Sequence, residues 1–267
     1  MKIGFIGTGN MGTAIMKGYL SVHENSNHDL YAYDKENSKL DALSRDLGIQ
    51  SCESIADLVT KSEIIVLAVK PNIFEMILPE INEVYQPHQI LVSIAAGISI
   101  RYLESFIKHQ NPKVVRVMPN TPAMVNEGMT AISKNDHLDD EEFQGVAELF
   151  RSIGKAEVLD ESLMDTVIGV SGSSPAYTYM FIEALIDGAV AGGMKREQAV
   201  VFAGQAVLGA ARMVLETGID PVTLRENVCS PGGTTIEAVQ VLKERGFQDI
   251  VKKAAEAASE KSKMMTK

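Results

Sequence analysis

The stretch Lys2-Ile3-Gly4-Phe5-Ile6-Gly7-Thr8-Gly9-Asn10-Met11-Gly12 decides the fold. Its apolar start reads as a strand, and Asn10 to Val22 reads as a helix with Met11, Ile15 and Leu20 among its apolar positions. Glycines at this spacing are a weak signal alone. Between a strand and a helix they form the fingerprint of a dinucleotide-binding turn. Gly7 permits the tight turn, Gly9 lets a pyrophosphate approach the backbone, and Gly12 lets helix and strand pack closely. Free N–H groups at the helix N-terminus then face the phosphates. Ile6, Gly7, Thr8, Gly9, Asn10, Met11 and Gly12 are therefore candidate cofactor contacts. The bland alternative is a structural strand-to-helix turn.

Outward from this turn, short apolar runs alternate with amphipathic stretches, the pattern of a mainly parallel sheet covered by helices. Strands are expected at Leu30 to Tyr33, Ile64 to Val69, Ile90 to Ala95, Val114 to Met118, more weakly Thr130 to Ile132, and Ala156 to Leu159. Ser38 to Leu47, closed by Gly48, and Glu141 to Ile153, ending at Gly154, read as helices. After about Asp160 strand signals stop. Helices are expected from Ser174-Pro175 to Gly192-Gly193, and from Arg196 to Thr217 with Gly218 as the stop. A short one opens at Asp220-Pro221. Another begins at Thr234, whose spacing to Glu237 is that of a capping box, and the last runs from about Gln248 and frays toward Lys267. The fold class is thus α/β: a Rossmann-type dinucleotide-binding domain over 1–160, then an all-α dimerisation and substrate domain over 161–267.

The dimer expectation comes from the first two helices of that half, which are apolar on more than one face. Tyr179, Phe181, Ile182, Leu185, Ile186 and Val190 lie on one, Val200, Val201, Phe202, Val207 and Leu208 on the other. A surface helix normally keeps a polar face, so they are sandwiched, across a subunit interface or within the chain.

Composition narrows the partners. A net charge of −10 over 267 residues argues against nucleic acid and against an anionic membrane surface. Charges such as Glu183 and Asp187 break the long apolar stretches, so no membrane span is expected. Only Cys52 and Cys229 occur, without a CxxC pair, and the five histidines show no metal spacing. No metal and a cytoplasmic location are the expectations.

Asp34, at the end of the second strand, is placed to accept hydrogen bonds from an adenosine ribose. Such a carboxylate favours NAD, but Lys35 and Lys39 are near enough to neutralise a 2′-phosphate, so NADP stays open; the lesser alternative for Asp34 is a turn carboxylate. Ala68-Val69-Lys70-Pro71, Ala95-Ala96-Gly97 and Met118-Pro119-Asn120-Thr121-Pro122 end further strands, where open α/β sheets bind ligands. Asn120 offers both donor and acceptor. Late in the chain, Ser230-Pro231-Gly232-Gly233-Thr234-Thr235 sets two glycines and three hydroxyls before a helix. A substrate carboxylate there would take N–H bonds from Gly233 and Thr234 with help from Ser230, leaving the Thr235 hydroxyl for the reacting group.

Taken together, these motifs resemble the Δ1-pyrroline-5-carboxylate reductase family over nearly the whole chain. The resemblance rests on Phe5 to Gly12, Ala68 to Pro71, Arg116 to Pro122, Ser171-Gly172-Ser173-Ser174-Pro175-Ala176-Tyr177 with Glu183-Ala184, and Ser230 to Thr235. Ser174 departs from the family's usual glycine, at a helix start where little consequence is expected. The resemblance implies NAD(P)H-dependent reduction of 1-pyrroline-5-carboxylate to L-proline. It implies cofactor contacts from the Gly7–Gly12 loop, Ala68, Val69, Lys70, Pro71 and Asn120, and substrate contacts from Ser230, Gly232, Gly233, Thr234 and Thr235, with Thr235 near the imine nitrogen as the catalytic residue. It further implies a homodimer that can assemble further, with helices of one chain completing the other's site. A β-hydroxyacid dehydrogenase of similar build needs a lysine base early in the helical half, and none lies between Lys155 and Lys195. A non-catalytic NAD(P) sensor would have no use for the Ser230–Thr235 turn.

Overall fold

The computed structural model describes residues 1–23 and 26–267. They form two compact units, one of Met1–Gly172 with Ala257–Lys267, the other of Ser173–Glu256. The first holds β1 (Ile3–Ile6), β2 (Leu30–Tyr33), β3 (Gln50–Ser51), β4 (Ile64–Leu67), β5 (Ile90–Ser93), β6 (Lys113–Met118), β7 (Gly128–Lys134) and β8 (Gly154–Val158). They join in one sheet in the order β3-β2-β1-β4-β5-β6-β7-β8. The order through β6 is that of a dinucleotide-binding sheet, with the crevice of its reversal between β1 and β4. β7 runs antiparallel to β6, and β8 parallel to β7. The connection over 119–127 is too short for a parallel crossover, which explains the reversal.

Helices α1 (Asn10–Val22), α2 (Asn37–Leu47), α3 (Ile55–Lys61), α4 (Phe74–Val84), α5 (Ile100–Phe106) and α6 (Asp140–Arg151) surround the sheet. Alternate residues of one strand feed opposite cores, since Ile64 and Val66 pack with α1, α2 and α6 while Ile65 and Leu67 pack with α3, α4 and α5. Burial on both faces is why these strands read as unbroken apolar runs. Gly48, in the left-handed region at φ +71°, ends α2 as the sequence suggests. Gly154 does not end α6; Ser152 does, and Gly154 opens β8.

After β8 comes the single turn α7 (Met164–Val167), which continues helically through Gly172. The second unit follows with α8 (Ser174–Ala191), α9 (Arg196–Thr217), α10 (Pro221–Asn227), α11 (Thr234–Glu244) and most of α12 (Phe247–Met265). Pro175 lies in the first turn of α8, but Ser173 is the N-cap and no side chain caps it. Among the described residues of this unit, Ile186, Ala199 and Ala203 are the buried hydrophobics. Tyr179, Val201 and Phe202 are 60%, 67% and 67% exposed, so burial of these helices wholly within one chain is ruled out. By length and composition alone α9 is long and apolar enough to cross a membrane, a property that helices packed in a protein interior share.

The end of the chain is also corrected. α12 does not fray: Ser262 is buried and donates to Asp165 at 2.5 Å, and the Lys267 N–H donates to the Gly97 carbonyl at 2.8 Å. This end therefore belongs to the sheet unit.

Candidate active site

The glycine turn after β1 has the geometry its spacing requires. Gly7 sits at φ +102°, where a Cβ would lie 2.7 Å from the Ala68 carbonyl oxygen at the end of β4. At Gly12 a Cβ would lie 2.7 Å from the Gly7 carbonyl oxygen and 3.2 Å from the Ala68 Cβ. The two glycines let α1, the turn and the β4 end approach as backbones. Gly9 is different. A Cβ there would meet nothing within 4 Å, so the protein itself does not require glycine at this position. Gly9 is the N-cap of α1 without a side-chain cap, and the first turn carries no acid. The result is an open backbone cradle at a positive helix end, which fits a dinucleotide pyrophosphate. Gly9 and Asn10 are exposed, Met11 half-buried, Ile6 and Thr8 buried.

Asp34 closes one side of the turn. Its Oδ2 accepts the Thr8 N–H at 2.7 Å and the Thr8 hydroxyl at 2.8 Å, and its Oδ1 accepts the Glu36 N–H at 3.0 Å. Burial alone would push this carboxyl up, but the donors from Thr8 and Glu36 outweigh it and hold Asp34 below its ordinary value. Lys39 lies 2.9 Å from Glu36. At the end of β4, Ala68 and Val69 are half-buried, Lys70 is exposed, and Pro71 starts a short 3-10 turn over Pro71–Ile73.

The Asn120 amide is engaged inside the protein. It donates to the Ser171 carbonyl at 3.0 Å, and its oxygen accepts the Met129 N–H at 2.8 Å. It thereby ties the loop after β6 to the start of β7 and to the chain after α7, with one N–H left for a ligand. The Ala95–Gly97 loop packs on the chain end, where a Cβ at Gly97 would lie 2.9 Å from the Met265 carbonyl oxygen.

In the second unit, Gly232 takes φ +69° and the Gly233 N–H donates to the Ser230 carbonyl at 3.0 Å. The expected capping box at Thr234 does not form. Gly233 is the N-cap of α11 and has no side chain to offer, while Thr234 is already helical. The first-turn N–H groups are thus uncapped by any side chain, in a segment that carries Ser230, Thr234 and Thr235, whereas the Gly233 N–H expected to be free for a carboxylate is taken by the Ser230 carbonyl. Ser230 and Thr234 are exposed and Thr235 half-buried. Among the described residues no group of His, Cys, Asp and Glu is placed to hold a metal.

Sequence reasoning missed Arg116 as a structural centre. It is buried, with Nη1 3.1 Å from Glu161 and Nη2 3.9 Å from Asp165. An arginine within the apolar run Val114 to Met118 was the available signal.

A nucleotide cradle at the reversal of a Rossmann-type sheet, followed by a mostly exposed helical unit, defines an NAD(P)-dependent oxidoreductase with a separate oligomerisation domain. Residues 161–265 match the family model described as pyrroline-5-carboxylate reductase dimerisation, and residues 2–97 match NADP oxidoreductase coenzyme F420-dependent. The chain is 47% identical over 266 residues to the pyrroline-5-carboxylate reductase of Escherichia coli (strain K12), covering 100% of this chain and 98% of that one. Among solved structures, the Coxiella burnetii pyrroline-5-carboxylate reductase superposes with a TM-score of 0.92 at 31% identity, covering 100% of this chain and 98% of that one. The Plasmodium falciparum pyrroline carboxylate reductase with NADP bound gives 0.88 at 34%, with the same coverage. The chain belongs to the pyrroline-5-carboxylate reductase family, and the exposed helical unit is its dimerisation domain.

Proposed function

We propose that the glycine turn after β1, Asp34, Ala68 to Pro71 and Asn120 hold the cofactor, and that Ser230 to Thr235 hold the substrate of the family reaction. That reaction is NAD(P)H-dependent reduction of 1-pyrroline-5-carboxylate to L-proline in a homodimer. Bound NAD(P)H supplies the hydride that reduces the C=N carbon. The observation that carries the substrate assignment is the N-terminus of α11, whose first-turn N–H groups no side chain caps, in a segment that carries the hydroxyl residues Ser230, Thr234 and Thr235. The Gly233 N–H is held by the Ser230 carbonyl and shapes the turn with the left-handed Gly232, so the Thr234 N–H and the Ser230 hydroxyl are the groups that bind the ring carboxylate there. Fixing that carboxylate sets which ring face is presented. Thr235 donates its hydroxyl hydrogen bond to the ring nitrogen and relays to it a proton drawn from solvent as the C=N bond becomes an amine, so that the hydroxyl ends the step protonated. The division of labour follows 1–160 for cofactor and 161–267 for dimer and substrate, and dimers assemble further. Two free cysteines, one buried, support a cytoplasmic location.

The test is turnover of pyrroline-5-carboxylate with NADH and with NADPH, in wild type and Thr235→Ala. We expect proline from the wild type and a fall in kcat on the order of 10²-fold in the variant, with nucleotide affinity unchanged. Equal losses in kcat and nucleotide affinity would remove Thr235 from the substrate site.

A further inference from the structure

The turn between β2 and α2 carries Asp34, Lys35, Glu36 and Lys39 at the edge where the adenosine ribose of a dinucleotide lies. We infer, resting on the cofactor assignment above, that this turn selects against a 2′-phosphate and that the chain uses NADH in preference to NADPH.

A 2′-phosphate needs free N–H groups, a bare helix end or an unengaged cation. In this turn the Glu36 N–H is taken by Asp34, and the N-cap residue of α2 is itself an acid, although its carboxylate caps no N–H. Asp34 is fixed by its three donors from Thr8 and Glu36, so it cannot swing aside without breaking the glycine turn's own hydrogen bonds. An ionised carboxylate accepts at about four lone-pair positions, so three donors leave capacity for a ribose hydroxyl. A phosphate has no proton to give it and meets only repulsion.

The amide that would otherwise greet a phosphate is that of Glu36, and it is already bonded to Asp34. Glu36 is also the N-cap of α2, which places a second acid at the helix end. Its carboxylate takes Lys39 at 2.9 Å, so the lysine that the sequence offers as a neutraliser is engaged. Lys35 is exposed and adjacent. With it, the two acids and two lysines cancel before a ligand arrives, and the dianion has no net charge to meet. The anchored acid decides the preference.

The experiment is calorimetric titration of the full-length protein with NADH and NADPH, alongside kcat/KM for each. Wild type is expected to bind NADH at least about tenfold more tightly. Asp34→Asn should tighten NADPH about tenfold while changing NADH less, because the amide keeps the acceptor for Thr8 and loses the charge. Glu36→Gln leaves Asp34 in place and frees Lys39; it should also tighten NADPH. Wild-type binding of NADPH as tight as NADH overturns the inference, as does an Asp34→Asn variant that weakens both nucleotides equally. If neither nucleotide binds the wild type, the cofactor assignment fails instead.

Discussion

The glycines of the first turn share a motif but not a role. Gly12 faces backbone at 2.7 Å, so Gly12→Ala overpacks the α1–β4 contact and should cost about 1–3 kcal/mol. Gly9 has an ordinary φ of −67° and open space around it. Gly9→Ala should keep the melting temperature close to wild type and weaken NADH binding, because a methyl then stands where the pyrophosphate approaches. Melting curves with and without NADH separate the two, and a Gly9→Ala protein that binds normally would mean the pyrophosphate lies elsewhere. Cys52 yields a pH test. Burial foremost, with the Asp57 charge nearby, pushes its thiol up to about 11 from 9.0. The native fold therefore holds the proton that the unfolded chain releases. This contribution is intact below pH 9.0 and declines as pH rises toward about 11. Denaturant midpoints of wild type and Cys52→Ala should converge over that range, by up to about 1.4 kcal/mol per pH unit. A constant difference would show that Cys52 ionises as freely in the fold as outside it.

At the scale of elements, what was legible follows from length and punctuation. α9 was readable to both ends because its long apolar-rich run is followed by Gly218 in the left-handed region at φ +65°. α3 and α5 are short, one helix interior carries Pro79, and β3 is a two-residue strand, so periodicity could not report them. The capping box at Thr234 failed because the pattern fixes only spacing, whereas the left-handed Gly232 starts the helix one residue earlier. The candidate glycines were legible where the backbone restricts residue type, by a left-handed φ at Gly7 and Gly232 and by close approach of the Gly7 carbonyl at Gly12. The Asp34 anchor and the Asn120 bridge were not, since both depend on partners far along the chain. The exposed apolar faces of α8 and α9 lead to a prediction at this scale. Phe202, 67% exposed in one chain, should be buried in the dimer, so Phe202→Glu should shift the protein toward monomer. Light scattering across a dilution series reads this, and an unchanged dimer would place the interface on another face.

Over the whole molecule, the chain leaves the sheet unit at Ser173 and returns to it at Ala257. The return is held by charges that hydropathy cannot foretell. Arg116, in the apolar run Val114 to Met118 of β6, pairs with Glu161 and lies near Asp165. Glu161 also accepts the Ile100 N–H at 2.8 Å, at the start of α5. Asp165 accepts the hydroxyls of Ser262 at 2.5 Å and Thr266 at 3.2 Å. One buried guanidinium is therefore bonded to Glu161 and lies 3.9 Å from Asp165, the two acids that dock α5 and the end of α12. Forming such a pair contributes little net stability, because both charges lose water; breaking it leaves acids without their cation in a half-buried site. Arg116→Ala should then cost about 3–5 kcal/mol, whereas Arg116→Met with Glu161→Gln, which keeps the volume and removes a charge of each sign, should recover much of it. The loss should also be local. Trypsin should reach Lys261 and Lys263 in Arg116→Ala under conditions where the wild type resists, because Asp165 without Arg116 no longer holds an oriented acceptor for Ser262. Wild-type stability and protease resistance in Arg116→Ala would mean that apolar packing alone returns the chain to the sheet unit.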